Sequence, residues 1–577
     1  MSFGDWGRPV AASSLRTEVL VVGAGVVGAV LALELAHHGV GCVVVERSLT
    51  EPKHPDLDLL TGRSMELLRR LGLAAEVREL GVDPDSPSDY EWRQGLDQPP
   101  VLVSHYPSVN QLRGRYAQVN DGSAPVELHL RVPGARLAKR LRDAVREHPL
   151  IELREGWTFT GLRVDEDGVA ASVLEVRGGV RHTVEARYVA GCDGAQSTVR
   201  RSLDVPMEQL GLPAPHCSVY FRSEDPHLHP RGRALSTIVV GGLTLVARDE
   251  RNGWVGQLPV GADEPLTTDP VAMLRSRLGA ALAKPEVFGV TQWDDSLAVA
   301  AQYRRGSVFL VGEAAHRFHP VTDNADTSIG DAVDLGWKLA AVLCGWGGPG
   351  LLASYELERR PRALMDRELL ARALETRRRF GRLAAAGASR EFLAGVLHQE
   401  THRLDPMGIQ FAGRYAESAV IWHDRGTPPS RNGHRITPTT WPGGRAPAVR
   451  LADGTQLFDR LGSELTLVDL TEGGSGGRLV DQARRRGIPM AHLPSGDPAV
   501  LRSWDRPLVL VRPDQHVAWR AAAPPDDWDA VLTHVVGGSS LAGTTALRED
   551  HVNTSCPRSS VRRRSIHVSA IDKGPDR

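Results

Sequence analysis

The sequence predicts an α/β protein of several domains: a doubly wound parallel sheet, an antiparallel sheet and a small C-terminal α/β domain. A strand, a glycine-rich turn, a helix and a second strand follow one another over residues 19–47. Short apolar runs separated by turn residues fill the middle of the chain, and strands alternate with helices near its end. With 577 residues the chain is too long for one compact core.

The composition is that of an ordinary globular protein and disfavours several classes of partner. Apolar residues make up 41% of the chain and charged residues 24%. The formal net charge of −1 creates no overall field that favours nucleic acid or an anionic membrane. The cysteines lie far apart without a CxxC pair, and neither a signal peptide nor a membrane span is recognisable. We therefore expect a cytoplasmic protein with no nucleic-acid or membrane partner.

The first ordered segment has the pattern of a dinucleotide-binding unit. An apolar strand leads into GxGxxG, a helix follows, and the next strand ends in an acid. The three glycines serve the tight turn, the close approach of a pyrophosphate and the packing of the helix on the sheet, while the acid can accept from a ribose hydroxyl. The candidate ligand-binding residues are Gly23, Gly25, Val27, Gly28, Glu46 and Arg47. The motif predicts an adenine dinucleotide and does not choose between FAD and NAD.

Two later segments place an acid just after a short apolar strand. Asp193 and Gly194 follow one such strand. Gly312 and Glu313 follow another, and a polar loop then leads to a helix that is expected to begin near Ile329. A carboxylate followed by a helix N-terminus places an acceptor and unpaired backbone N–H groups beside one ligand.

Together these segments resemble the group A FAD-dependent aromatic hydroxylases, in the branch of phenol hydroxylases and aromatic-polyketide hydroxylases. The runs 63–67, 331–340 and 354–361 extend the resemblance, which covers about residues 17–520. It implies a GR2-type Rossmann domain that binds FAD, with NAD(P)H as co-substrate. It also implies a monooxygenase that forms a flavin C4a-hydroperoxide from molecular oxygen and hydroxylates an aromatic or polyketide-derived small molecule. The cofactor carries that chemistry, and the protein positions it and excludes water.

The resemblance also implies roles for the candidate site residues. The glycine turn at 23–28 and Glu46 would serve the ADP half of FAD. Asp193 and Gly194 would lie near the pyrophosphate and the path of the nicotinamide. Glu313 takes the place of an aspartate that binds the ribityl chain, which keeps the charge and adds one methylene. No catalytic base can be assigned.

The flavin end of the predicted site departs from the family pattern. Pro320 and Asp326 are the candidate cofactor-binding residues at this end. After Pro320, the stretch 321–328 contains no glycine, although the family's glycines let the backbone lie against the flavin ring. Asp323 and Asp326 add negative charge there, which disfavours an anionic reduced flavin. Gly134 stands where relatives have a glutamine that contacts the cofactor. The alternative is therefore a flavin-fold tailoring protein, cyclase-like or auxiliary, that binds FAD but has lost oxygen transfer.

Changes of pattern predict the remaining domain boundaries. We expect an FAD-binding domain at 17–213 (with a substrate-side insert at about 80–130) and 303–426, an antiparallel-sheet substrate domain at 214–302, a thioredoxin-like domain at 427–546 and a disordered tail at 547–577. The thioredoxin-like assignment is implied by the resemblance. No cysteine lies within 345–555, so that domain is expected to serve structure or homodimer contacts rather than dithiol chemistry.

Few side chains of the middle region can be assigned a role. Phe221, Trp254 and Trp293 are candidates for lining the substrate cavity, although an aromatic residue in a strand more often packs in the core. His316 and His319 lack further histidine or cysteine neighbours, so zinc is not expected. The arginine-rich helices of 361–400 are expected to present their charges to solvent.

Overall fold

The computed structural model of the chain describes residues 14–50, 59–166, 168–228, 234–249, 251–260, 269–278, 282, 285–318, 324–401, 406–430 and 432–538. The N-terminal part contains β1 (Ser14–Val22), α1 (Val26–His37), β2 (Cys42–Glu46), β3 (Leu59–Leu60), α2 (Gly62–Arg70), α3 (Ala74–Glu79), β4 (Tyr90–Arg93), β5 (Leu102–Ser104), α4 (Val109–Tyr116), β6 (Leu130–Arg131), α5 (Gly134–Glu147), β7 (Ile151–Glu155), β8 (Trp157–Asp165), β9 (Gly168–Glu175), β10 (Val180–Gly191) and α6 (Thr198–Ser202). The middle part contains β11 (Met207–Gln209), β12 (Pro215–Arg222), β13 (Ser236–Val239), β14 (Thr244–Ala247), β15 (Gly253–Pro259), α7 (Pro270–Leu278), β16 (Glu286–Asp294), β17 (Ala298–Ala300), β18 (Arg304–Arg305), β19 (Val308–Leu310) and β20 (His316–Arg317). The C-terminal part contains α8 (Asn324–Leu343), α9 (Pro349–Ala385), α10 (Arg390–Thr401), α11 (Pro406–Phe411), β21 (Leu465–Asp469), α12 (Gly477–Arg485), β22 (Met490–Pro494), α13 (Pro498–Ser503), β23 (Leu508–Val511), β24 (Val517–Ala521) and α14 (Trp528–Val535).

The first sheet has the order β18-β19-β10-β1-β2-β7. The strands from β19 to β7 run parallel, and β18 is antiparallel to β19 at one edge. Strand β9 pairs with β10, and β8 pairs with β9. The central strands β1 and β2 are apolar and buried without alternation over 19–22 and 42–45. Such runs are typical of a parallel sheet covered on both faces, because neither set of side chains meets water. Helices α1 and α8 pack against each other beside this sheet. The predicted doubly wound α/β fold is confirmed.

The second sheet has the order β16-β12-β15-β14-β13-β4-β5 and is antiparallel except between β13 and β4. Phe221 and Trp254 are fully buried in the core that includes Leu274 of α7. The interpretation of these two aromatics as cavity-lining residues is wrong, because alternation along the strands directs them to the α7 face. Trp293 lies on the opposite face, next to its cross-strand partner His216.

The C-terminal sheet has the order β22-β21-β23-β24, with one parallel pair, β21 and β22. Helices α12 and α14 pack together beside it. Its core is continuous with Trp337, in the C-terminal half of α8, and with Trp346, just beyond that helix. The residues predicted to form a disordered tail lie outside the described part of the chain. Within that part, no helix is both long and apolar enough to cross a membrane.

Buried ion pairs join the C-terminal domain to α8 and α9. The Arg512 guanidinium donates to both carboxylate oxygens of Glu358 at 2.7 Å each and to Asp334 at 2.9 Å. The Lys338 ammonium donates to Glu358 at 2.7 Å and to Asp334 at 2.8 Å. Carboxylate oxygens of Asp334, Glu358 and Asp514 cluster closely enough to suggest a metal site. Lys338 and Arg512 already pair with these carboxylates, so the cluster is an ion-pair network and not a metal site.

Candidate functional site

The glycine turn leaves the backbone open at the N-terminus of α1. Gly23 has a φ of +102°, and a Cβ there would lie 2.5 Å from the carbonyl oxygen of Cys192. A Cβ on Gly25 would meet no atom within 4 Å, so a ligand can approach this backbone. No side chain in the described part of the chain caps α1, and its first turn carries no acid. Its first N–H groups therefore remain available to an anion such as a phosphate.

Glu46 is fixed beside this turn at the end of β2. Its carboxylate accepts hydrogen bonds from the backbone N–H groups of Ala24 and Ser48, both at 2.8 Å. Arg142 of α5 lies 3.6 Å from the same carboxylate and is buried. Its Nε and Nη1 have no hydrogen-bond partner among the described residues. Sequence reasoning missed Arg142, and the available signal was a basic residue among the buried positions of an amphipathic helix.

The three predicted segments meet at one edge of the first sheet. Strands β1, β10 and β19 are neighbours and run parallel, so the turns that follow them adjoin. A Cβ on Gly194 would lie 3.9 Å from the Glu313 carboxylate, and one on Gly312 would lie 3.0 Å from the Val27 side chain. The structure thus brings together Val27, Gly194, Gly312 and Glu313. Arg47 is exposed beyond β2.

Asp193 has one carboxylate oxygen engaged and one without a partner. Its Oδ2 accepts from the N–H groups of Thr198 and Val199 at 2.7 and 3.0 Å. Its Oδ1 is buried and has no hydrogen bond in the part of the chain that the structure describes. A buried carboxylate oxygen without a partner is costly, which makes it a candidate acceptor for a ligand hydroxyl.

Asp331 of α8 holds the turn that carries Glu313. One of its oxygens accepts from the Gly312 N–H at 3.2 Å and lies 3.1 Å from His316 Nε2. Its other oxygen accepts from Arg359 Nε at 2.7 Å. Because Asp331 and His316 are fully buried, these contacts orient the turn from behind.

The flavin end of the predicted site differs from its expected form. Helix α8 begins at Asn324, before the expected Ile329, so 324–328 are helical and need no glycine. The Asp326 carboxylate accepts from the Ser64 hydroxyl and from the Thr61 N–H, at the N-terminus of α2. Burial raises the pKa of Asp326 to about 6. Asp326 therefore stabilises the start of α2, and a direct role at the cofactor stays a prediction.

Two other predicted residues of this region cannot be located. Pro320 and Asp323 lie outside the described residues, as does His319. Gly134 is the first residue of α5 and is buried. It follows Pro133, which occupies the N-cap position.

Comparison with known proteins agrees with this geometry. The family model described as an FAD binding domain matches residues 16–366, and the model described as the C-terminal part of aromatic-ring hydroxylases matches 439–539. The chain belongs to the FAD-dependent aromatic-ring hydroxylase family. The family assigned from the sequence motifs is confirmed. The family's cofactor also fits the site, which offers an open approach at Gly25, an uncapped helix N-terminus and the unpaired oxygen of Asp193.

Its relatives are monooxygenases and hydroxylases. The FAD-dependent monooxygenase apdD of Emericella nidulans is 31% identical over 566 residues, which are 90% of each chain. The tetracenomycin A2 monooxygenase-dioxygenase of Streptomyces glaucescens is 30% identical over 89% of this chain and 95% of that protein. Among solved structures, the rebeccamycin biosynthetic enzyme RebC with reduced flavin has a TM-score of 0.80 at 30% identity, covering 91% of this chain and all of that one. Aklavinone-11 hydroxylase with FAD and aklavinone has a TM-score of 0.74 at 25% identity, covering 90% and 99%.

Proposed function

We propose that this protein is an FAD-dependent monooxygenase that consumes NAD(P)H and molecular oxygen to hydroxylate an aromatic or polyketide-derived small molecule. The observation that carries the proposal is the meeting of the Gly25 turn, the Asp193 carboxylate and the Glu313 turn at one edge of a parallel sheet. When bound, FAD supplies the redox and oxygen-transfer chemistry.

The residues of the site divide between the two ends of that cofactor. The N-terminus of α1 binds the pyrophosphate, because no side chain among the described residues caps it. Glu46 accepts from the adenosine ribose, and Asp193 Oδ1 accepts a further hydroxyl. Glu313 accepts from the ribityl chain, in an orientation maintained by Asp331.

The names of the relatives support an aromatic substrate. They include a tetracenomycin monooxygenase-dioxygenase, an aklavinone hydroxylase and a 4-methyl-5-nitrocatechol monooxygenase. The nitrocatechol in the last name is an aromatic compound with two hydroxyl groups, and the C-terminal family model is described as that of aromatic-ring hydroxylases. A phenolic or polyketide-derived aromatic is therefore the class of substrate that we propose.

The test combines flavin binding, NAD(P)H oxidation and oxygen labelling. The purified protein is expected to bind FAD and to oxidise NADH or NADPH faster when a suitable aromatic compound is present. Under ¹⁸O₂ the product should contain one labelled oxygen atom, since the other atom of O₂ leaves as water. A protein that takes up no FAD contradicts the proposal.

The alternative, a flavin-fold tailoring protein without oxygen transfer, retains support from Gly134, which has no side chain to contact the cofactor. The helical start of α8 weakens the other reason for it, because 324–328 do not form a loop. Stable FAD binding without NAD(P)H oxidation, across a panel of phenolic compounds, would favour this alternative.

A further inference from the structure

The face of the second sheet opposite α7 carries a row of polar side chains. Thr244 lies opposite Gln257, Gln257 opposite Ser218, and Ser218 opposite Thr291. The first three of these residues are at most 5% exposed. Gln257 Oε1 nevertheless has no hydrogen bond within the described part of the chain. A polar row on an inner face, with an unpaired acceptor, is costly for folding alone and suits a polar ligand.

One end of this face is flat and aromatic. The rings of His216 and Trp293 stack with centroids 4.5 Å apart and an angle of 12° between their planes. The indole N–H of Trp293 donates to the Ser218 hydroxyl at 2.8 Å, which fixes the orientation of the indole. A rigid stacked pair beside a polar row provides a planar surface against which an aromatic ring can lie.

Helix α9 passes along this face. Arg378 donates to Asp295, just beyond β16, at 3.0 Å. The Phe380 ring packs edge-on against Trp92 of β4, with centroids 5.4 Å apart. These two contacts place residues 378–380 of α9 against the sheet. Arg377 directly precedes Arg378 and lies about one helical turn before Phe380, so it lies on the same side of α9 as that ring.

The Arg377 guanidinium has no hydrogen bond and no ion pair with any residue that the structure describes. Burial lowers its pKa to about 10, against the opposing electrostatic effect of Tyr90 on β4. Ser236, the cross-strand partner of Tyr90, is buried, and its hydroxyl also has no partner among the described residues. Apart from the exposed Arg372, the other arginines of α9 are paired with carboxylates, including Arg359 with Asp331.

We propose that Arg377 binds an anionic oxygen of the aromatic substrate, supplied by an ionised phenol or enol or by a carboxylate. An unpaired and partly desolvated guanidinium is unfavourable alone, and a charge-assisted hydrogen bond to an oxyanion removes that penalty. Gln257 and Ser236 then bind neutral polar groups of the same molecule, whose ring lies along the His216–Trp293 pair. This inference rests on the proposed function and specifies its substrate as an acidic aromatic compound.

The experiment measures binding to the FAD-loaded protein by calorimetry, without turnover. One probe pair is 1,2-dihydroxyanthraquinone and its dimethyl ether, and the other is anthraquinone-2-carboxylate and its methyl ester. The wild type is expected to bind the acidic member of at least one pair about tenfold more tightly than its neutral analogue. The pair that shows the preference identifies phenolate or carboxylate as the recognised group.

Arg377→Met should abolish that preference, and Arg377→Lys should retain part of it. Arg382→Met is the matched control, because Arg382 lies on the same helix with its side chain 63% exposed and paired to Glu375. The control should keep the full preference. FAD uptake is measured for every variant, so that a folding defect is recognised separately.

The inference is overturned if the wild type shows no preference for an acidic probe, or if Arg377→Met keeps the preference. If the wild type does not oxidise NAD(P)H, the proposed function is contradicted. A measured preference for the acidic probe would still support the role of Arg377.

Discussion

Replacing Glu358 by glutamine tests whether the buried ion network holds the C-terminal domain in place. Glu358 is fully buried and accepts from both Lys338 and Arg512. Glu375 is the matched control, because it lies on the same helix and accepts from Arg382 at 2.7 Å. The Glu375 side chain is 57% exposed, so the two glutamine substitutions differ mainly in burial.

The expected loss in the free energy of unfolding follows from that burial. Removing one partner of a buried ion pair costs about 3–5 kcal/mol, because the remaining charge stays buried. Burial, with the charge of Glu358, raises the pKa of Asp334 to about 8. Without Glu358, Asp334 should ionise at neutral pH and partly replace the lost carboxylate. We therefore expect Glu358→Gln to cost about 3 kcal/mol and Glu375→Gln less than about 1 kcal/mol.

The assay is urea unfolding followed by tryptophan fluorescence, since Trp337 and Trp519 lie in the core beside the network. The transition that reports on this core should move to lower urea in Glu358→Gln and stay nearly unchanged in Glu375→Gln. Adding Asp334→Asn to Glu358→Gln should increase the loss, because no carboxylate then replaces Glu358. The reasoning fails if the two single variants unfold within about 1 kcal/mol of each other.

Two further predictions concern the cofactor turn and the pH dependence of stability. Gly25→Val should reduce FAD affinity at least about 100-fold without a large loss of stability, because the added side chain enters open space in which the pyrophosphate must approach the backbone. Gly114→Val is the control at another open glycine and should leave FAD binding unchanged. Equal FAD affinities of the two variants would contradict the placement of FAD at Gly25. Burial lowers the pKa of His38, but hydrogen bonds to Glu34 and Glu464 outweigh it and raise the pKa from 6.5 to about 9. Protonated His38 therefore contributes up to about 3 kcal/mol to the free energy of unfolding. This contribution is fully present below pH 6.5 and is lost as the pH rises through 9. The urea midpoint of the wild type should fall over that interval, and that of Glu464→Gln should fall less.

The fold of the glycine turn and the position of Glu46 beside it could be predicted from the sequence, because their determinants are local. The turn at 23–28 needs glycine because of its backbone conformation and close contacts. Glu46 is the last residue of a strand that the apolar pattern already predicts. The neighbouring positions of Asp193 and Glu313 could be inferred only through the parallel strands that precede them and the family resemblance.

Features that depend on tertiary packing were not predictable in the same way. Strand alternation separates Phe221 and Trp254 from Trp293, but only the position of α7 shows which face is core. The first turn of α8 is polar and resembles a loop in sequence, and packing against α2 keeps it helical. Arg377 belongs to a run of arginines that was expected to be solvated, and the fold turns this one toward the second sheet. Burial of one arginine in such a run cannot be read from composition.

The contacts of α8 connect the C-terminal domain to the proposed cofactor site. Asp331 fixes the Glu313 turn on one side and pairs with Arg359 on the other. One turn later, Asp334 accepts from the C-terminal domain's Arg512. After a further turn, Lys338 donates to Glu358. Glu358 and Arg359 are adjacent on α9. A shift of α9 at the interface with the C-terminal domain must therefore also move Arg359, which holds Asp331 and thereby the Glu313 turn. The C-terminal domain, which has no dithiol, can thus influence FAD binding mechanically, and Glu358→Gln should weaken FAD binding as well as stability. An unchanged FAD affinity in that variant would confine the domain to a stabilising role.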